Sequence, residues 1–279
     1  MNLLLKSLHM LHRKGQAWEL NDQWLKLFPV CIVHWAYFKK DTILAMKKSV
    51  LVLGLMAVIT GCVRDAEVPL SDLNGDFTTT EGDKYTLFLP ATEPLKPIGF
   101  MFYPGGLVAS EGYFEMLTPI AEAGYAVVVV DMPRQLAVFS PKRGAKVLSE
   151  LEAGPNRWVI GGHSLGGSMA ARQVEDDPAL FEGLIFMASY PASGDDLSEV
   201  DIAVLSLYAS EDALATPEDI YDREALLPSD TQYIEITGGN HAQFGSYGEQ
   251  DEEDIATITK EEQHMIIQQE VMAFLRGLE

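Results

Sequence analysis

The strongest constraint on the fold is a regular alternation of short apolar runs with stretches of helical periodicity along the second part of the chain. The run Ala126–Val130 contains only alanine and valine, which is typical of a strand buried on both faces. The stretch Glu111–Ala123 instead places Leu117 and Ile120 on one helical face. Strands and helices that alternate in this way predict a mostly parallel sheet with helices on both faces.

The same criteria assign the other elements of this α/β pattern. Strands are predicted at Tyr85–Leu89, Ile98–Tyr103, Trp158–Gly161, Leu184–Ala188, Ala203–Tyr208 and Tyr233–Ile236. Helices are predicted at Lys142–Ala153, Leu165–Glu175 and Glu261–Leu278, the last preceded by a capping box of Thr259 and Glu262. About a dozen residues separate the strand Leu184–Ala188 from the next one, which is too few for a helical lid.

A candidate nucleophile lies in the sequence Gly162-His163-Ser164-Leu165-Gly166, which matches the pattern G-x-S-x-G. A predicted strand leads into this motif and a predicted helix leads out of it. The glycines permit a sharp turn between the two elements, which leaves the Ser164 hydroxyl exposed at the sheet edge. The alternative is that Ser164 is a turn residue without a chemical role.

A serine hydroxyl is a weak nucleophile and requires a neighbouring base. Three histidines follow residue 62 in the sequence. His163 lies inside the turn and is expected to point away from the site, and His264 is expected on the solvent-facing side of the last helix. His241 follows a predicted strand, in a loop that reaches the carboxyl edge of the sheet, and is therefore the candidate base.

The base in turn requires a carboxylate that holds its tautomer and stabilises the imidazolium. Asp212 follows the predicted strand Ala203–Tyr208 and is the candidate, with its neighbour Glu211 as the alternative. The order Ser164, Asp212, His241 along the chain is the order found in α/β-hydrolases.

Negative charge that develops on a reacting carbonyl oxygen requires hydrogen-bond donors. The backbone N–H of Leu165, directly after the nucleophile, is one candidate donor. A second is expected in the loop after Ile98–Tyr103, where Gly106 and Leu107 are both possible. The alternative for this loop is an ordinary Pro-Gly turn. The following segment, Met132–Phe139, is expected to form a wall of the site.

Together these motifs resemble the α/β-hydrolase superfamily, and within it a compact, lidless bacterial branch related to dienelactone hydrolases. The resemblance extends over about residues 83–279 and predicts an α/β-hydrolase fold. Dienelactone hydrolases use a cysteine nucleophile where this chain has Ser164, which favours ordinary ester hydrolysis. The matching blocks are Tyr103–Val108, Gly162–Gly167, Ser210–Asp212 with Thr216–Glu218, and Gly239–Gly245.

The resemblance implies a serine hydrolase that cleaves a carboxylic ester, or a related acyl substrate, through an acyl-enzyme intermediate. Neither a metal nor an organic cofactor is expected, and we expect a monomer whose partner is a small-molecule ester. Two alternatives stay open: a non-catalytic, lipid-anchored binding protein on this fold, and an acyltransferase or peptidase with the same three residues. The acidic residues between Glu249 and Asp254 lack calcium-loop spacing and are interpreted as a solvated loop.

Charge divides the chain into two parts. Residues 1–61 contain 8 Lys/Arg and 3 Asp/Glu, whereas residues 62–279 contain 12 and 38, so the net charges are +5 and −26. A domain this acidic repels nucleic acid, which excludes nucleic-acid binding as a function. The hydrophobic fraction of 47% and charged fraction of 22% also exclude a mainly disordered chain.

The basic part contains the elements of a secretory signal. Lys47 and Lys48 precede the apolar run Val50–Ile59, which at about 10 residues is half of what a membrane span requires. The ending Ile59-Thr60-Gly61-Cys62 resembles the lipobox of bacterial lipoprotein signal peptides. This resemblance implies that the thiol of Cys62 receives a diacylglyceryl group and that Cys62 becomes the new N-terminus. The alternative is a short buried helix with a chance cysteine.

These observations predict four regions. They are a doubtful N-terminal extension over residues 1–45, a signal peptide over 46–61, a tether over 62–82 and a catalytic domain over 83–279. Translation is expected to start at Met46, with a genuine cytoplasmic tail as the alternative. The lipidated Cys62 would anchor the domain to a membrane of the bacterial cell envelope, facing the periplasm or the exterior.

Overall fold

The computed structural model describes residues 63–91, 94–250 and 255–279. All the elements below belong to one compact unit, Arg64–Glu279. The extension predicted over 1–45, the signal peptide over 46–61 and the modified Cys62 lie outside the described residues. Within the described residues, no helix has both the length and the apolar character that crossing a membrane requires.

Eight strands form one sheet in the order β1-β2-β4-β3-β5-β6-β7-β8. β1 pairs antiparallel with β2 and β2 antiparallel with β4, whereas every later pair is parallel. The strands are β1 Phe77–Glu81, β2 Tyr85–Pro90, β3 Ile98–Tyr103, β4 Ala126–Val130, β5 Arg157–His163, β6 Gly183–Met187, β7 Ala203–Ala209 and β8 Gln232–Ile236.

Helices cover both faces of this sheet. Every residue of β3 and β4 is buried, which requires a layer of structure on each side. The predicted α/β architecture is therefore confirmed, and the segment 188–202 between β6 and β7 contains no helix, as expected for a lidless chain. The α-helices are α1 Phe114–Glu122, α2 Arg143–Glu150, α3 Leu165–Asp176, α4 Pro217–Tyr221 and α5 Lys260–Gly277, which begins with the predicted capping box.

The register of the parallel strands brings their carboxyl ends to one edge. Tyr103 at the end of β3 pairs with Gly162 of β5, and His163 pairs with Met187 at the end of β6. At the far side, Ala209 of β7 pairs with Ile236 at the end of β8. The loops that follow β3, β5, β7 and β8 therefore leave the sheet along the same edge.

One strand was missed because its sequence lacks an apolar pattern. Phe77–Glu81 falls within the region predicted as a tether, yet it pairs along its whole length with β2. Four of its five residues are exposed and three of those are threonines, so the strand shows no alternation of apolar and polar residues. The tether predicted to continue through residue 82 is too long, because β1 already belongs to the sheet.

The prediction for His264 is also wrong. Its side chain is 5% exposed on the inner side of α5, although its neighbours in sequence are polar. Burial lowers the pKa of His264 from 6.5 to about 4, against an opposing influence of Glu115. The helix packs against α1, where Gln268 donates a hydrogen bond to the backbone oxygen of Met116 at 3.1 Å.

We expect His264 to make the folded state less stable in mild acid. The unfolded chain takes up this proton near pH 6.5 and the folded chain only near pH 4, so stability falls as the pH decreases through that window. Between pH 7.5 and 5, His264 accounts for a loss of about 2 kcal/mol in the free energy of unfolding. Urea unfolding of the wild type and of His264→Gln at both pH values measures this difference, and identical pH dependence in the two proteins would contradict it.

Candidate active site

The turn between β5 and α3 holds Ser164 in an unusual backbone conformation. Its φ is 54° and its ψ −121°, a positive φ that residues other than glycine rarely adopt. The Ser164 N–H donates to the backbone oxygen of Met187 at 3.0 Å, which ties the turn to the end of β6. Strained residues of this kind occur preferentially at functional sites.

Close backbone packing explains the glycines around this serine. A Cβ at Gly166 would lie 2.1 Å from the backbone oxygen of Tyr103 and 2.4 Å from that of Pro104. Only glycine therefore permits the start of α3 to lie directly against the loop that follows β3. The sharp turn predicted from the motif is present, but Ser164 is only 8% exposed, whereas the sequence predicted a hydroxyl exposed at the sheet edge.

Asp212 and His241, 29 residues apart in sequence, form a buried pair. His241 Nδ1 lies 2.8 Å from Asp212 Oδ2, and the two side chains are 1% and 0% exposed. The other carboxylate oxygen of Asp212 accepts the backbone N–H groups of Leu214 at 2.8 Å and Ala215 at 2.6 Å. The carboxylate is thus held in place, and with Nδ1 donating to it, Nε2 is the basic nitrogen of His241.

Glu211, the alternative carboxylate, has a different position. Its side chain is exposed and accepts a hydrogen bond from the Ser210 hydroxyl at 2.9 Å. Of the two neighbouring acids, the structure places Asp212 against His241.

His163 does not point away from the site, contrary to expectation. Its ring centroid lies 4.5 Å from that of His241, and it stacks on Phe244 at 5.5 Å with an interplanar angle of 14°. Since His163 directly precedes Ser164, this contact also places His241 beside the turn. Burial, followed by the proximity of His241, lowers the pKa of His163 well below 6.5, so this second imidazole is neutral.

Tyr113 connects His163 to the loop after β3, and sequence analysis did not identify it. Its hydroxyl oxygen accepts the Gly105 N–H at 3.0 Å and lies 2.9 Å from His163 Nδ1. Tyr113 and His163 are both buried, and no spacing rule relates a tyrosine at the start of a helix to a histidine 50 residues later.

The two backbone donors considered in the loop after β3 differ in availability. The Leu107 N–H donates to the backbone oxygen of Gln135 at 2.8 Å, so this amide is not available to bind an oxyanion. Within the described part of the chain, the N–H groups of Gly106 and Leu165 make no hydrogen bond. A Cβ at Gly106 would lie 3.0 Å from Leu165 Cδ2, so these two residues are neighbours. Gly106 is therefore the remaining candidate of the pair.

The segment after β4 borders this loop, as expected for Met132–Phe139. Gln135 accepts the Leu107 amide, and Leu136 Cδ2 would lie 3.6 Å from a Cβ at Gly106. Arg134 and Gln135 both have positive φ, at 56° and 53°, so two consecutive residues other than glycine are in the left-handed region. Backbone strain is thus concentrated around Gly106 and Ser164.

The described residues contain no group of three or more His, Cys, Asp and Glu side chains arranged to hold a metal ion. Four of the acidic positions noted above, 251–254, lie outside the described residues.

Comparison with known proteins agrees with this architecture. Residues 99–265 match the model of the α/β hydrolase family, a range that contains Gly106, Ser164, Asp212 and His241. No match was found among curated proteins. The family match supports hydrolase activity as a class. Since the matched range covers more than half of the sequence and the fold agrees with it, the chain belongs to the α/β hydrolase family.

Proposed function

We propose that the protein is a serine hydrolase that cleaves a carboxylic ester, or a related acyl substrate. The observation that carries this proposal is the buried hydrogen bond of 2.8 Å between His241 and Asp212, beside the strained turn that holds Ser164. A histidine fixed by a carboxylate next to a serine in a strained turn is the arrangement that activates a serine hydroxyl.

In the proposed first step, Ser164 Oγ attacks the ester carbonyl carbon while His241 Nε2 accepts the hydroxyl proton. Asp212 stabilises the resulting imidazolium, and the N–H groups of Leu165 and Gly106 bind the negatively charged carbonyl oxygen. His241 then donates the proton to the leaving alkoxide, which departs as the alcohol. The acyl group remains on Ser164.

In the second step, water attacks the acyl-enzyme carbonyl and His241 accepts one of its protons. Collapse of the tetrahedral intermediate releases the carboxylic acid and returns the proton to Ser164 Oγ. The neutral state of His163 favours both steps, because a positive charge 4.5 Å from the His241 ring would oppose formation of the imidazolium.

The absence of a helical lid between β6 and β7 supports a small, water-accessible ester as substrate. The proposed reaction requires no metal or organic cofactor and no nucleic acid. We further propose that the chain acts as a monomer, lipidated at Cys62 and anchored in the bacterial cell envelope. The charge asymmetry and the lipobox-like sequence support this location. Intact-mass measurement of the native protein tests it, because a product that retains Met1 would contradict it.

The chemical proposal is tested with a fluorescent serine-directed phosphonate and mass-spectrometric mapping of the adduct. We expect labelling at Ser164 in the folded wild-type protein, followed by hydrolysis of members of an ester panel. A folded protein without label would favour a binding protein instead. Product analysis with added alcohols separates hydrolysis from acyl transfer.

A further inference from the structure

The first residues of the unit Arg64–Glu279 pair with the loop that holds Gly106. The Arg64 N–H donates to the backbone oxygen of Leu107 at 2.8 Å, and the Ala109 N–H donates to the backbone oxygen of Arg64 at 2.9 Å. These two hydrogen bonds form an isolated parallel bridge between Arg64 and Val108. The chain thus lies alongside this loop before it reaches β1.

The same segment also binds the loop that follows His241. The Glu67 N–H donates to the backbone oxygen of Ser246 at 2.7 Å, and the Ser246 N–H donates to that of Gly112 at 2.6 Å. The Arg64 guanidinium donates to the backbone oxygen of Gln250 at 3.4 Å. Residues 64–67 therefore connect the loop with the proposed oxyanion donor to the loop with the proposed base.

Side chains extend this connection into the buried part of the site. Burial raises the pKa of the Tyr113 hydroxyl. The hydrogen bonds with Gly105 and Tyr247 and, last, the positive charge of Arg64 oppose this increase. Tyr113 in turn binds the Gly105 amide and His163, which contacts His241. On the outer side, Lys260 pairs with Glu67 and with Glu115, each at 3.1 Å.

We propose that Arg64–Glu67 is a positioning segment of the active site, which holds the Gly106 loop and the His241 loop in register. The inference rests on the proposed function. Leu107, next to Gly106, has a φ of 62°, a strained conformation that persists only when surrounding bonds maintain it. An oxyanion donor contributes fully only when its N–H is already aimed at the oxyanion. The segment that the sequence predicts as a passive tether therefore contributes to the rate.

Ala109→Pro tests this proposal in the full chain. Ala109 has a φ of −62°, which proline adopts. The substitution removes the N–H that Arg64 accepts and puts the proline Cδ against the Arg64 oxygen, so it separates the two segments. Active sites are counted by phosphonate titration. We expect kcat per active site to fall about 10-fold or more and KM to stay within about twofold of the wild type. Complete removal of an oxyanion donor lowers kcat about 100-fold or more, and misplacing one is expected to cost less. The control is Asp72→Ala, at an exposed residue outside the positioning segment, which we expect to retain the wild-type kcat.

A second pair of variants removes the other hydrogen bond of the bridge. Arg64→Pro eliminates the N–H donated to Leu107, and Arg64→Ala removes the same side chain but retains that N–H. We expect the kcat of Arg64→Pro to be about 10-fold below that of Arg64→Ala. Should one proline variant fail to fold, the other carries the test.

The inference is overturned if Ala109→Pro and Arg64→Pro retain the kcat of their controls, or lose thermal stability alone. Its failure is distinguishable from failure of the proposed function, because the wild type would then still be labelled at Ser164. A wild type without label would instead contradict the proposed function.

Discussion

Ester hydrolysis by Ser164→Ala is expected to be about a million-fold slower than by the wild type, the loss typical of removing the nucleophile of such a triad. Without Oγ no acyl-enzyme forms, and a buried His241–Asp212 pair has no hydroxyl to activate. What remains is the proposed stabilisation of the oxyanion by Leu165 and Gly106, which would still favour attack by water over the uncatalysed reaction. Initial rates at high enzyme concentration, together with phosphonate labelling, measure this effect.

The matched control for this prediction is Ser168→Ala, one turn later on α3. Ser168 is also buried, and its hydroxyl donates to the backbone oxygen of Tyr190 at 2.7 Å. We expect this variant to be destabilised by about 1 kcal/mol through the lost hydrogen bond, with a kcat within a few-fold of the wild type. A Ser164→Ala protein with substantial activity would exclude Ser164 as the nucleophile.

Asp212→Asn is expected to lower kcat about 10,000-fold while leaving the fold in place. The carboxylate accepts the His241 Nδ1 proton at 2.8 Å, which makes Nε2 the basic nitrogen. An amide at this position can donate to Nδ1, which moves the proton to Nε2 and removes the base. The measurement is kcat over a pH series, with unfolding curves to show that the variant is folded.

Glu211→Gln is the matched control, because it makes the same chemical change one residue earlier. The Glu211 side chain is exposed and binds Ser210, so we expect kcat within about threefold of the wild type. The opposite ranking, with the large loss at Glu211, would show that the wrong carboxylate had been assigned.

The sequence by itself determined the fold class and the chemical candidates. The apolar run Ala126–Val130 and the strand Ile98–Tyr103 were predicted with the bounds that the structure has, because continuous apolar segments are buried in almost any arrangement of the chain. The turn at Ser164 was equally predictable, since the glycines around it permit one sharp local geometry. These are properties of neighbouring residues, and neighbouring residues are what sequence patterns report.

Contacts between distant residues were decided only by the tertiary structure. The Leu107 N–H donates a hydrogen bond to the backbone oxygen of Gln135, which leaves Gly106 as the candidate oxyanion donor of the two. The packing of α5 against α1 buries His264 despite its polar neighbours.

Contacts between distant residues also explain why sequence analysis assigned β1 and Arg64 to a tether. β1 is defined by its partner β2, and Arg64 by its hydrogen bonds to a loop more than 40 residues away. Their local sequence carries no apolar period, because edge strands and bridges are stabilised by backbone bonds that any residue except proline can donate. Backbone pairing across the fold, which the residue types do not encode locally, thus placed β1 at the sheet edge and Arg64 against the loop that holds Gly106.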